Sequence, residues 1–337
     1  MNKQALRADI LLLITAGLWG FAFVAQSAGM DHVGPFTYNG LRFPLGSLFL
    51  LPVIIFLKAK GRLSADVSLK KGDQIRITLI TGAVLFIAVG LQQIGMIFTT
   101  VGNAGFITGF YVVLTPVFGI LIGRKTGLPT WFGMVFAIIG FYFIFAAGSG
   151  LSSVNPGDLI MILSAAFWAV HVLTIDHFVK KINPLILAAG QFAWCGFFAL
   201  IAAFAIEPFV GAWAMRIAPD FAVQEWATLL ELIQLAAAGT GTSGSNTFSS
   251  IAAGAAVPVL FGGLASVGIA YTLQVIAQKD APPAHATIIL SMEGCFAVLG
   301  GILLRNEEPG SFTLLGFLFM LLAMVITQWD VIVRKEK

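Results

Sequence analysis

The chain has 337 residues, 58% of them apolar and only 10% charged, with a mean hydropathy of +0.94. A soluble globular domain would carry roughly 25% charged residues, so that class is excluded. The net charge is +3, from 19 bases and 16 acids, and no groove-sized basic patch forms, which excludes a nucleic-acid partner.

Crossing a hydrocarbon layer about 30 Å thick takes about 20 apolar residues at 1.5 Å each. Ten stretches qualify: about 9–29, 36–57, 77–97, 103–123, 130–148, 158–178, 185–206, 257–278, 284–304 and 312–329. The first is too long for a cleaved signal peptide and ends in no clean cleavage site. Thirty-seven glycines and thirty phenylalanines suit helices packed closely in lipid. Cys195 and Cys295 lie in apolar runs and offer neither a disulfide framework nor metal spacing. No cofactor is implied.

Lys and Arg gather in the loops of one side, as cytoplasmic loops do. Sixteen of the 19 bases fall there: Lys3, Arg7, Lys58, Lys60, Arg62, Lys70, Lys71, Arg76, Arg124, Lys125, Lys180, Lys181, Lys279, Arg334, Lys335 and Lys337. Only Arg216 and Arg305 lie opposite, and Arg42 is inside a span. Both termini are therefore expected in the cytoplasm.

The chain repeats itself. A shift of 149 pairs Asp9 with Asp158, Ala16 with Ala165, Trp19 with Trp168, Pro35 with Pro184 and Phe43 with Phe192. A shift of 181 pairs Gln93 with Gln274, Ile107 with Ile288, Val117 with Val298, Gly119 with Gly300 and Arg124 with Arg305. The difference, 181 − 149 = 32, measures an insertion between spans seven and eight. Five spans precede the second copy, so the copies cross in opposite senses, the inverted repeat of many secondary transporters. The expected fold is an all-α membrane protein of ten transmembrane helices. One five-helix repeat covers 1–148 and a second 149–337, with an outer-side insertion at about 207–255.

AGLWGFAFVAQ (16–26), GPFTYNGLRFPLGSLFLLP (34–52), GIAYTLQVIAQ (268–278), APPAHATIILSMEGCFAVLGGILLRNEE (281–308) and the closing SFTLLGFLFMLLAM resemble the EamA-type family of the drug/metabolite transporter superfamily. The likeness spans nearly the whole chain except about 207–255. It implies a carrier, for a substrate among amino acids, sugars, nucleotide sugars, quaternary amines or drugs. Two motifs depart from the family pattern: GRKTG (123–127) lacks the usual acid after span four, and Gly294 stands where Pro often follows the span-nine glutamate.

Polar residues inside the spans are the candidate site. Arg42 costs about 2.5–3.5 kcal/mol on an insertion scale. It would anchor an anionic group, pair with Glu293, or snorkel to the outer interface. Glu293 lies mid-span, too deep to snorkel, and suits proton coupling or cation binding; a structural bond within the bundle is the alternative. Trp19 and Trp168 sit mid-span rather than in interfacial belts, so they would face each other across a cavity and stack on a flat or cationic solute, or simply pack helices. His171, three residues after Trp168, would exchange a proton or bond a neighbouring helix. Gln92, Gln93 and Gln274 each need a partner in lipid, in a wet cavity or on another helix. Thr108, Tyr111 and Thr115 form a polar stripe, and Tyr271 lies one turn before Gln274. Tyr38 and Asn39 lie one turn before Arg42.

Asp9 and Asp158 read as caps of their own helices. Glu307 and Glu308 read as caps of the outer end of span nine beside Arg305. Gln224 to Ala238 reads as an amphipathic helix on the outer leaflet, and GTGTSGSNTFSS (239–250) as a flexible linker.

These features predict a secondary transporter, an exporter of a small organic metabolite or drug-like solute, in a bacterial-type plasma membrane. Its partners would be that solute, the lipid bilayer and protons, with the chain a monomer or homodimer. No Walker A string occurs, so ATP does not drive it directly. The alternatives are a passive channel and a lipid-modifying membrane enzyme, and no catalytic constellation is present for the latter.

Overall fold

The computed structural model describes residues 3–61, 69–123, 128–145, 156–217, 242–281 and 283–327. Backbone polar groups in lipid must be satisfied within their own segment, and helices do this. The described elements are accordingly helical, with no strand among them. In chain order they are α1 (Lys3–Met30), α2 (Pro35–Ala59), α3 (Lys71–Gly95), α4 (Val101–Gly109), α5 (Tyr111–Leu121), α6 (Leu128–Phe145), α7 (Pro156–Phe178), α8 (Pro184–Ala205) and α9 (Glu207–Ile217). They continue as α10 (Thr242–Leu260), a π-helical stretch Phe261–Tyr271, α11 (Thr272–Gln278), α12 (Pro283–Leu290), α13 (Glu293–Arg305) and α14 (Ser311–Thr327).

Among the described residues seven helices are long and apolar enough to cross a membrane: Leu6–Met30, Pro35–Ala59, Lys71–Gly95, Val101–Leu121, Pro156–Phe178, Pro184–Ala205 and Ser250–Gln278. Trp131–Gly140 and Ser311–Ala323 are shorter apolar helices. The helices are apolar on both faces, but polarity points inward. On α1 the buried residues Ala8, Leu12, Thr15, Ala16, Trp19, Ala22, Phe23 and Gln26 recur at helical spacing, whereas Ile10, Leu13 and Ile14 are exposed.

α2 packs on α8, α3 on α7 and α8, and α4 on α13. α1 lies between α13 and the π-helical stretch. α6 and α14 pair with each other at the edge, through the stacked rings of Phe143 and Phe319, 5.5 Å apart. Phe317 of α14 stacks on Phe106 of α4 at 4.1 Å, tying that edge to the bundle. α4 and α13 approach closely because Gly105 faces Ala297 and Gly294, where an added Cβ would overlap the Ala297 methyl.

Three discontinuities converge on the middle of the bundle. The apolar run 103–123 divides into α4 and α5 at Phe110, and 284–304 divides into α12 and α13 at Ser291 and Met292. The breaks are tight turns: Phe110 N–H bonds to Ile107 O, and Met292 N–H to Ile289 O. They stand 291 − 110 = 181 residues apart, the offset of the second repeat match. The third is the π-helical stretch, which ends at Tyr271. Upstream of it the Tyr38 hydroxyl donates to the Pro258 carbonyl at 3.0 Å.

Several expectations change at the ends of helices. The expected linker is helical from Thr242 onward. Extending an existing helix costs less than starting one, which outweighs the poor propensity of its Gly, Ser and Thr residues. The expected amphipathic helix 224–238 lies outside the described residues. Glu307 does not serve span nine alone; its carboxylate accepts from Val101 N–H at 2.6 Å and Gly102 N–H at 3.0 Å, at the start of α4. Arg305 pairs instead with Asp31 at 2.7 Å. Asp158 accepts from the Thr99 hydroxyl at 2.7 Å. Glu207, read as part of a plain outer loop, is fully buried and accepts from Phe36 N–H and Thr37 N–H, both at 2.7 Å, and from the Thr37 hydroxyl.

Candidate functional site

α1, α2, α3, the α4–α5 break, α7, the π-helical stretch and α13 all meet at one cavity. Trp19, Arg42, Gln92, Tyr111, Trp168, Tyr271 and Glu293 line it, together with Thr108, Gln26, Phe23, Ala22 and Ser266. Seven of the ten candidate residues are thus brought together, from both halves of the chain. Gln93, His171 and Gln274 are also fully buried but lie away from it, in helix packing.

One wall is aromatic. Trp19 and Tyr271 have ring centroids 4.5 Å apart, Trp168 and Tyr271 5.9 Å, and the two indoles 6.0 Å. Phe43 and Phe192, matched by the repeat, each back Tyr271 at 5.9 Å. Such a wall offers a flat solute stacking area and a cation a negative ring face.

The charged residues stand apart from each other. Arg42 is 1% exposed, so it does not snorkel out of the bundle. Its Nε–H donates to Asn39 Oδ1 at 2.9 Å, and its Cζ lies 5.2 Å from the Tyr38 ring and 5.0 Å from the Phe43 ring. No carboxylate among the described residues pairs with it, Glu293 included. Hydrogen bonding and ring faces thus hold the guanidinium without neutralising it. Glu293 is the first residue of α13, so its carboxyl sits at the positive end of a half-helix dipole. The Tyr111 hydroxyl, on the first residue of α5, faces that carboxyl within interaction range but outside hydrogen-bond geometry.

Other polar groups are committed to structure. Trp168 Nε1–H donates to Gln92 Oε1 at 3.0 Å, and the Ser164 hydroxyl to Ala88 O at 2.8 Å, stitching α7 to α3. His171 Nε2 and Gln191 Oε1 are 3.0 Å apart, joining α7 to α8. Gln278 Nε2 donates to Val172 O at 3.3 Å. By contrast Trp19 Nε1, Thr108 Oγ1, Tyr111 Oη, Gln26 Oε1 and Glu293 Oε1 line the cavity without a protein hydrogen bond among the described residues.

The cavity encloses about 310 Å³ of empty space, of which the centre of a water molecule reaches about 20 Å³. That is room for about one water. Among the described residues no group of three His, Cys, Asp or Glu is placed to hold a metal.

The sequence profile of the EamA-like transporter family matches residues 6–146 and 155–329. The chain belongs to that family. An uncharacterized transporter of Archaeoglobus fulgidus is 29% identical over 324 residues, 96% of this chain and 86% of the relative. Mouse solute carrier family 35 member F6 is 23% identical over 209 residues, 56% of each chain. The uncharacterized transporter YvbV of Bacillus subtilis is 26% identical over 204 residues, 60% of this chain and 65% of that one. A crystal structure 15% identical in sequence superposes with a TM-score of 0.61 over 98% of each chain, which shows the shared fold. The molecule is a multi-pass membrane protein of transporter type.

Four cavity residues escaped the sequence reading: Ala22, Phe23, Gln26 and Ser266. Gln26 is seven residues after Trp19, two helical turns on the same face, and that spacing could have found it. Ser266 is five residues before Tyr271, a spacing that an α-helix would turn away but a π-helix returns to the same side. Ala22 and Phe23 carried no signal, being two apolar residues among many.

Proposed function

We propose that the chain is a secondary carrier that moves a small organic solute by alternating access. Ten crossings, arranged as two inverted five-helix repeats with both termini in the cytoplasm, would form its frame in a bacterial-type plasma membrane. The observation that carries this reading is the cavity itself: it lies at the seam of the two halves and is lined by both. A seam between inverted halves can open to one face or the other as the halves rock.

The solute that fits has an anionic group for Arg42 and a flat or apolar body for Trp19, Trp168 and Tyr271. Glu293 is the proposed proton-coupling residue, because it is the carboxylate in the cavity and begins a half-helix. Export is the proposed direction, down the solute gradient or in exchange for protons. The chain is proposed to work without a cofactor and without enzymatic chemistry, as a monomer or homodimer.

The test is solute exchange in proteoliposomes, with solutes chosen by the thermal stabilisation they give the purified protein. A carrier saturates and shows counterflow, in which unlabelled solute on one side drives transient accumulation of label. Flux that rises linearly with concentration and shows no counterflow would contradict the reading.

A further inference from the structure

We propose that the face opposite the Lys/Arg-rich one is a gate latched by two carboxylates, Glu207 and Glu307, each reaching from the second half of the chain to cap a first-half helix. The inference rests on the carrier reading and adds the residues that hold one of its two doors.

Glu207 follows α8, and its carboxylate takes the free N–H groups of Phe36 and Thr37 in the first turn of α2. Glu307 follows α13 and takes those of Val101 and Gly102, the first two residues of α4. Helix N-terminal N–H groups have no partner within the helix, and an anion at that end is held by both hydrogen bonds and dipole. Each carboxylate has a space cleared by glycine. A Cβ on Gly34, the residue before α2, would overlap the Glu207 carboxylate, and one on Gly301 would overlap that of Glu307. Asn306, left-handed at φ 54°, turns the chain after α13 so that Glu307 N–H bonds back to Gly301 O at 3.1 Å. Two further links join the halves on this face: Arg305 to Asp31, and Asp158 to Thr99.

The matching position on the other face is built differently. The 149-residue shift carries Gly34 to Asn183 and Pro35 to Pro184. Asn183 caps its own helix, its Oδ1 accepting from Leu185 N–H at 2.9 Å. That cap therefore comes from within its own half. The outer face is thus tied across the seam at four places by polar side chains, two of them carboxylates that cap helices of the other half.

The test places one cysteine in the cavity, Ser266→Cys in a Cys195→Ala/Cys295→Ala background, and alkylates it in intact cells with a membrane-impermeant maleimide. Glu207→Gln/Glu307→Gln should raise the labelling rate from outside by about tenfold or more, the shift expected when charge-assisted bonds of this kind are lost. Gly34→Ala should raise it too, because it displaces Glu207 while keeping both carboxylates in the chain; it also serves if the double variant fails to fold. Asn183→Ala should leave the outside rate unchanged. An unchanged outside rate in folded Gly34→Ala and glutamine variants would overturn the latch. The labelling needs no known solute, so the two ideas fail separately. Counterflow in a chain whose labelling ignores these variants sinks the latch alone, and a labelling rise in a chain that carries nothing sinks the carrier reading alone.

Discussion

Trp19 and Trp168 occupy matching positions of the two repeats, yet their indoles have different fates. Trp168 gives its N–H to Gln92 and so joins α7 to α3, with Ser164 bonding one turn away. Trp19 lines the same cavity with its N–H unbonded among the described residues. The same divergence appears at Arg42 and its counterpart Gln191, which the 149-residue shift aligns. Gln191 is paired with His171 inside the packing, whereas Arg42 keeps its charge beside the cavity. Duplication supplied two copies of a frame, and the copies now divide the labour. At these pairs the first-half member keeps an unbonded indole N–H or an unpaired charge beside the cavity among the described residues, and the second-half member bonds across helices. Glu293 is the exception, a free group contributed by the second half.

The division can be broken by substitution. The largest effect is expected at Glu293: Glu293→Gln should abolish flux driven by a pH gradient while leaving solute exchange, and unchanged gradient dependence would remove Glu293 from coupling. Next is Arg42→Lys, which loses the Nε bond to Asn39 and the planar stack between Tyr38 and Phe43. Solute affinity should fall by about tenfold, corresponding to about 1.4 kcal/mol; a wild-type affinity in equilibrium binding would show that no anion rests there.

The tryptophans then sharpen the contrast. Trp168→Phe strands the buried Gln92 amide at a cost of about 1–3 kcal/mol, read as a lowered Tm. Trp19→Phe strands nothing and should leave Tm within about a degree, while weakening solute binding. Equal loss of stability in both variants would erase the distinction. The smallest effect is expected at Asn183→Ala, about 1 kcal/mol for a lost cap, seen in thermal unfolding with no change in transport.

The helical, membrane-embedded architecture was legible because the length and density of apolar runs leave few other solutions. The grouping of Trp19, Arg42, Gln92, Tyr111, Trp168, Tyr271 and Glu293 was legible for a related reason: polar and large aromatic residues inside such runs are expensive, so they mark the interior. What stayed hidden depends on backbone geometry. Hydropathy runs unbroken through Phe110 and Ser291, and nothing in it shows where the hydrogen-bond ladder tightens and the helix divides. Glu207 and Glu307 bond to N–H groups that every residue possesses, so no side-chain pattern pointed to their partners. His171, Gln93 and Gln274 were as costly as the cavity residues and equally conspicuous, but cost alone does not separate a group facing a cavity from one wedged between helices. Gln93 and Gln274, matched by the repeat, are both fully buried with neither amide atom bonded among the described residues. In the proposed rocking of the halves, they would be the places where new bonds form.

The account's central claim is that the seam cavity opens to each face in turn and holds the solute between. Labelling of Ser266→Cys, measured separately with impermeant reagent on the outer face of intact cells and on the inner face of inverted vesicles, tests it most directly. Modification from both faces, slowed on each by the transported solute, is the predicted result. Modification from one face only, or at rates the solute does not alter, would contradict it.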